Sequence, residues 1–187
     1  MICDRLTDIT PIPLKYPFAI LGISDSPSHI AVQELTSEMD SYLIEVVGFS
    51  LDEMRILTEK PHYDFKERLP ESRRLSHLAC AFANLDGGGV ILIGVNNDGD
   101  LVGVPRGTPL DEMQLAIVNT VQHNCRPRPK FETKVFDAPS EPSRCVLVVR
   151  VYEMEYKPCM VDEKVYVRVG SSTRAAGPDE IRRLLLK

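Results

Sequence analysis

Three consecutive glycines, Gly87-Gly88-Gly89, separate a run of helical periodicity from an unbroken apolar run, and this junction constrains the fold more than any other stretch. Upstream, Leu75, Leu78, Ala79 and Phe82 recur at i, i+3, i+4 and i+7. That spacing predicts one buried face of a helix beginning near Pro70 to Ser72, with Arg73 and Arg74 off the stripe. The glycines end the helix because they enter left-handed backbone without a Cβ penalty. Downstream, Val90 to Val95 (VILIGV) has no polar position, the pattern of a central strand covered on both faces. Asn96-Asn97-Asp98-Gly99 then supplies turn chemistry, and Leu101 to Val104 is expected to return as a hairpin strand.

Around this junction the chain reads as a mixture of short elements. Ser50 and Glu53 fit a capping box that opens a short helix over residues 51–58, stopped by Pro61. His62 to Glu67 alternates, with Tyr63 and Phe65 on one side and His62, Asp64 and Lys66 on the other, as a strand with one polar face does. Thr108, as cap, and Pro109 open a further helix whose stripe is Leu110, Met113, Ile117, Val118 and Val121, with Asn124 as its stop. Arg126 to Lys134 is basic and proline-rich, suited to an extended edge or loop. Arg144 to Tyr152 and Lys164 to Val169 are strands, and Gly177-Pro178-Asp179-Glu180 starts a final helix. Pro17 to Ser24, Ile30 to Leu35 and Tyr42 to Val47 read as three strands of a small meander. Helices and hairpin-linked strands without regular βαβ alternation predict an α+β fold: a mixed, largely antiparallel sheet with two to three packed helices. The expected organisation is an acidic β-rich extension over residues 1–50 and one domain over residues 51–187.

Charge narrows the partners. The net charge of −5 argues against a nucleic-acid ligand, but residues 1–55 hold three basic and nine acidic side chains, whereas residues 56–187 hold nineteen and eighteen. The acidity therefore belongs to the first third. No apolar run reaches membrane-spanning length, so no membrane partner is expected. Five scattered cysteines without a C-x-x-C pair argue against a zinc site and a disulfide framework, and point to the cytoplasm. The triple glycine is not followed by Gly-Lys-Ser/Thr, so an ATP site of the phosphate-loop kind is not expected.

The chemistry-bearing candidates are few. Asp64 and Lys66 share a strand face, with Glu59 just ahead of it. Carboxylates so gathered can hold Mg²⁺ or Mn²⁺, and a neighbouring lysine can neutralise a phosphate. The loop after Val95 can supply Asn97 or Asp98 as a further oxygen ligand, which makes Glu59, Asp64 and Asp98 the candidate metal ligands. An alternating charged strand is also what a solvated sheet face looks like, and NNDG is also simply a turn. Candidate phosphate contacts are Lys66, Arg73, Arg74, Arg126, Arg128, Lys130, Lys134, Arg168 and Arg174; such contacts give affinity without sequence choice.

Taken together, E-x4-D-F-K, AFANLDGGGVILIGVNNDG, the following LVG, a helix, and YVRVGSSTRAA resemble the Schlafen AlbA-like DNA-binding domain family, from about Leu51 to Lys187. The resemblance implies an α+β nucleic-acid-binding module of the kind found in bacterial and archaeal transcriptional regulators. In animal Schlafens the domain is a divalent-metal-dependent endoribonuclease acting on tRNA-like RNA. Its acidic triad carried over falls on Glu59, on Asp64, one methylene shorter than the family's glutamate, and on Asn97, where a charge is lost with Asp98 next door. The animal enzymes place two such lobes in one chain, so a comparable groove here implies a homodimer. Three functions are thus expected to compete: a module binding DNA or RNA backbone, a metal-dependent nuclease, and a protein-interaction module without nucleic acid.

Overall fold

Local signals set most element boundaries. The structure, a computed structural model, describes residues 38–57, 60–138 and 141–186. Residues 38–47 form helix α1. Ser50 caps α2 (Leu51–Ile56) through the expected box: its Oγ accepts from the Glu53 N–H, and its own N–H donates to Glu53 Oε2 at 2.8 Å. Strand β1 (Tyr63–Lys66) alternates buried and half-buried positions, as its period requires. Helix α3 (Ser72–Asn84) buries the predicted stripe and ends just before the glycines. At Gly88 the backbone is left-handed (φ +71°), and a Cβ there would collide with the Val151 carbonyl. At Gly89 a Cβ would strike the Phe82 ring. The glycines thus let the chain reverse and pass close beneath the helix.

Strand β2 (Gly89–Ile93) is buried at every position. It pairs parallel with β1, making one βαβ unit around α3, and antiparallel with β6 (Arg144–Val151). Between β2 and β6 the chain runs through β3 (Val104–Pro105), α4 (Thr108–Asn124), β4 (Cys125–Arg126) and β5 (Phe131–Asp137). Both β2 and β5 pair with residues 147–151 of β6, so they take its opposite edges, and β3 continues along the β2 side. The spatial order is therefore β1, β2 with β3, β6, β5. A second, antiparallel sheet joins β4 to β7 (Met160–Val161), β8 (Lys164–Val169) and β9 (Ser172–Ala175), and α5 (Pro178–Leu185) follows.

The pleat of β2 divides the core. Ile91 and Ile93 face α3, α4 and the second sheet, while Val90 and Leu92 face α1 and α2. A strand covered on both faces has no use for polar positions, which explains VILI. The α+β class with a mixed, largely antiparallel sheet is what the residues predicted. None of the described helices is long and apolar enough to cross a membrane.

Three expectations are corrected. Tyr42 to Val47 is helical, not a strand. Met39 and Leu43 are fully buried and Tyr42, Val46 and Val47 pack partly against the same core, an i, i+4, i+7 stripe that overrides the β-branched composition. Leu101 to Val104 does not return along β2, because β1 and β6 already occupy both of its edges; only an isolated Val95–Leu101 bridge remains, and Val104 pairs with Cys145. Thr108 is the first helical residue of α4, and the cap is Gly107, left-handed at φ +74°. The strands expected over Pro17 to Ser24 and Ile30 to Leu35 lie outside the described residues.

Candidate functional site

Burial of Tyr63 and Phe65 on one side of β1 forces Asp64 and Lys66 to the other. The Tyr63 hydroxyl donates to the Met54 carbonyl at 2.8 Å, anchoring β1 to α2, and burial pushes its pKa up to about 12. On the polar side, Asp64 Oδ1 accepts from Lys66 Nζ, and Asp64 Oδ2 accepts from Arg168 Nη1 at 2.8 Å. Arg168 comes from β8, and its side chain is only 1% exposed. Its five N–H groups are all used: Nε donates to the Pro61 carbonyl, Nη1 to Asp64 and Thr173 Oγ1, and Nη2 to the Lys60 and Tyr63 carbonyls. Burial lowers the guanidinium's pKa and the Asp64 charge opposes that shift. Arg168 is therefore a staple between the second sheet and the entry to β1, with no donor left for a phosphate.

The turn after Val95 is built by Asn96 rather than Asn97. Asn96 Oδ1 accepts from the Asp98 and Asp100 N–H groups at 3.0 and 2.8 Å, and Asn96 Nδ2 donates to Asp100 Oδ2 at 3.0 Å. Arg55 of α2 donates twice to the Gly99 carbonyl, at 3.1 and 2.9 Å, and so locks the turn against the domain. Freed from this task, Asn97 lines a cavity of about 330 Å³ with Lys60, Asp64, Lys66, Arg168 and Ser171. An adjoining cavity, also about 330 Å³, shares Asp64, Lys66 and Ser171 and adds Arg74, His77 and Thr173. The two make one groove across the polar face of β1. Among the described residues its cations Lys60, Lys66, Arg74 and Arg168 stand against one carboxylate, Asp64. His77 stacks on Tyr166 at 3.9 Å between ring centroids. Burial, then the neighbouring Arg73 charge, lowers the His77 pKa, so the ring is neutral near pH 7. Its Nε2 is the one buried side-chain polar atom without a partner among the described residues. A larger cavity of about 610 Å³, between β3, α4 and the loop after β1, is apolar, and the charges at its rim, Glu67 and Glu112 against Arg68 and Arg144, balance.

The structure thus brings Asp64, Lys66, Asn97 and Arg74 together. Asp98 is exposed and lies outside the cavity lining, and Glu59 is outside the described residues. The remaining basic candidates do not join the groove. Arg174 is held bidentately by Glu180 at 2.7 and 2.8 Å. Arg126 donates to the Gln122 and Cys125 carbonyls. Lys130 lies over the Tyr152 ring at 4.7 Å and Lys134 over Tyr42 at 4.6 Å. Lys130 immediately precedes β5 and Lys134 lies within it, three strands from β1, which at about 4.8 Å per strand places them roughly 14 Å away. Arg128 and Arg73 are exposed.

The residues fit a divalent cation poorly. Both Asp64 oxygens are committed to cationic donors, Asn97 is uncharged, and no three His, Cys, Asp or Glu side chains group to hold a metal among the described residues. Sequence reading missed Lys60, His77, Ser171 and Thr173. Three of these sat in quoted motifs or beside them: Lys60 follows Glu59, and Ser171 and Thr173 belong to YVRVGSSTRAA. It also missed Asn84 of the AFAN run, which is buried and ties α3 to the second sheet. Its Nδ2 donates to the Cys159 and Tyr166 carbonyls at 3.0 and 2.9 Å, and its Oδ1 accepts from the Cys159 N–H at 2.6 Å. Around this knot Cys80, Cys125 and Cys159, far apart in sequence, lie buried and free in one core.

A family model described as Schlafen, AlbA_2 matches residues 59–177. No curated protein matches the chain. Among solved structures, the DIP2311 protein from Corynebacterium diphtheriae is 16% identical with a TM-score of 0.45; the match covers 81% of this chain, which spans only 31% of that one. The N-terminal domain of a DNA helicase RecG-related protein from Nitrosomonas europaea is 26% identical with a TM-score of 0.46, over 65% of this chain and 87% of that one.

Proposed function

Because the chain belongs to the Schlafen AlbA_2 family, we propose that it binds nucleic acid through the phosphate backbone, in the groove across β1. The observation that carries this reading is the gathering of Lys60, Lys66 and Arg74 around Asp64, the single carboxylate of the groove among the described residues, which Arg168 already balances. Lys60 rests on the Phe65 ring at 4.9 Å, and Arg74 projects from an exposed face of α3, so both are available to an incoming anion. Backbone contacts release counterions, and three of them predict a log–log salt slope of about −2 to −3. Anisotropy titrations of labelled DNA and RNA between ~50 and ~200 mM salt should therefore lose roughly 20-fold or more in affinity. Binding that ignores salt, or none at low salt, refutes the reading. A chain that binds no nucleic acid and is dimeric by light scattering would instead be an interaction module.

Metal-dependent cleavage is the second reading, favoured by one observation: Asp64, Lys66 and Asn97 line the same cavity. Against it stand the committed oxygens of Asp64 and the neutral amide of Asn97. Were the site loaded, Mg²⁺ or Mn²⁺ would supply charge at the phosphate, and Asp64, the described carboxylate lining the cavity, would have to give up Lys66 or Arg168 to hold it. Mn²⁺-dependent cleavage of tRNA-like RNA, abolished in Glu59→Ala and Asp64→Ala, is the result this reading requires.

A further inference from the structure

We infer that the groove takes a single strand of nucleic acid rather than a duplex, without a divalent ion, and that Asn97 is its specificity-determining residue, hydrogen-bonding a base or sugar edge. This rests on the nucleic-acid-binding reading above and adds the class of ligand and the group that reads it.

Shape carries the first part. The shared floor is recessed, Asp64 being 13% and Lys66 35% exposed by side chain, and it lies between the Asn96–Asp100 turn and the β8–β9 turn at Ser171. Duplex phosphates lie on a convex cylinder, and proteins read a duplex by inserting a protruding helix or ribbon into a groove about 12 Å wide. A recess presents the opposite shape. A single strand can bend its phosphates inward one at a time, and its bases are free to splay. Each cavity, at about 330 Å³, is at the small end of ligand sites, so each suits one nucleotide-sized unit. Because the two share Asp64, Lys66 and Ser171, they suit consecutive units of one strand, with Lys60 at one end and Arg74 at the other.

Asn97 carries the second part. Asn96 holds the turn, so Asn97, which lines the cavity, has no side-chain partner among the described residues. An amide offers two donors and an acceptor, which matches the edge of an unpaired base or a ribose hydroxyl. In a duplex the Watson–Crick edges are already paired. Because Asp64 is saturated by Lys66 and Arg168, the cations rather than a metal meet the phosphate.

Anisotropy titrations of the full chain with one short mixed sequence test this, presented as single-stranded RNA, single-stranded DNA and the corresponding duplexes, in chelator at ~50 mM salt. Both single strands should bind at least about tenfold tighter than their duplexes, with no loss to the chelator; a preference for RNA would place the Asn97 contact on the 2′-hydroxyl. Asn97→Ala, an exposed turn position that leaves the fold intact, should weaken single-strand binding roughly fivefold to 100-fold with an unchanged salt slope. Lys60→Ala and Arg74→Ala should each flatten that slope by about 0.7. Duplexes binding as tightly as single strands, binding that requires Mg²⁺, or wild-type affinity in Asn97→Ala would overturn this inference while leaving nucleic-acid binding standing. Failure of every oligonucleotide to bind would remove both.

Discussion

Arg168→Met should destabilise the domain by about 3–5 kcal/mol, the range for removing one partner of a buried ion pair. The magnitude follows from what the guanidinium holds. Three backbone carbonyls, of Lys60, Pro61 and Tyr63, lose their donor, and each buried acceptor left unpaired costs about 1–3 kcal/mol where water cannot replace it. Asp64 keeps Lys66 but loses its buried partner. The guanidinium carbon lies over the Phe82 ring at 5.1 Å, and the polarizable methionine thioether can take up a sulfur–aromatic contact there, so packing loss is small. With a urea dependence of about 2–3 kcal/mol per molar for a domain of this size, the unfolding midpoint should fall by roughly 1–2 M at an unchanged slope. Arg168→Lys should rescue little, since three rotating donors cannot serve five fixed acceptor positions. Adding Asp64→Leu to Arg168→Met should recover part of the loss, because the orphaned carboxylate is gone. A midpoint shift under ~0.3 M for Arg168→Met, or a double variant no better than the single, would refute the staple.

Other perturbations probe separate parts of the structure. The hydrogen bonds from Arg174, then the Gly177 N–H, hold the Glu180 carboxyl at about 2. Its folded value lies below the unfolded one near 4.3, so its contribution is complete above that pH and disappears as pH falls toward 2. Amide exchange in α5 should accelerate across that window beyond its intrinsic pH dependence, and Arg174→Ala should remove the extra component. Asn84→Ala leaves two buried carbonyls and one N–H of the second sheet without partners, for a loss of about 3 kcal/mol or more by chemical denaturation. Gly88→Ala combines a left-handed backbone (φ +71°) with a collision against the Val151 carbonyl, and should cost at least about 3 kcal/mol or prevent folding, whereas Gly107→Ala, open around its Cβ, should cost only its backbone strain of about 1–2 kcal/mol.

Nearest-neighbour chemistry was enough to write much of this fold. The Ser50–Glu53 box, the period of β1, the stripe of α3, the glycine stop and the apolar β2 each depend on contacts within a turn or on one pleat. The sequence carries such features whole. Where two local signals conflicted, tertiary packing chose: residues 42–47 have β-branched composition and a helical stripe, and burial of Met39 and Leu43 against the sheet decides for the helix. Which strand lies beside which is not legible: turn chemistry points the strand after Gly99 back along β2, whereas β1 and β6 fill both its edges. The site divides the same way. That Asp64 and Lys66 share a face follows from period two alone. That Asp64 is met by an arginine 104 residues away, that Asn97 shares its cavity, and that Lys130 and Lys134 stand three strands off depend on the order of strands in two sheets. Spacing along the chain says which side of a strand a charge is on; only the closed fold decides which opposite charge is waiting there.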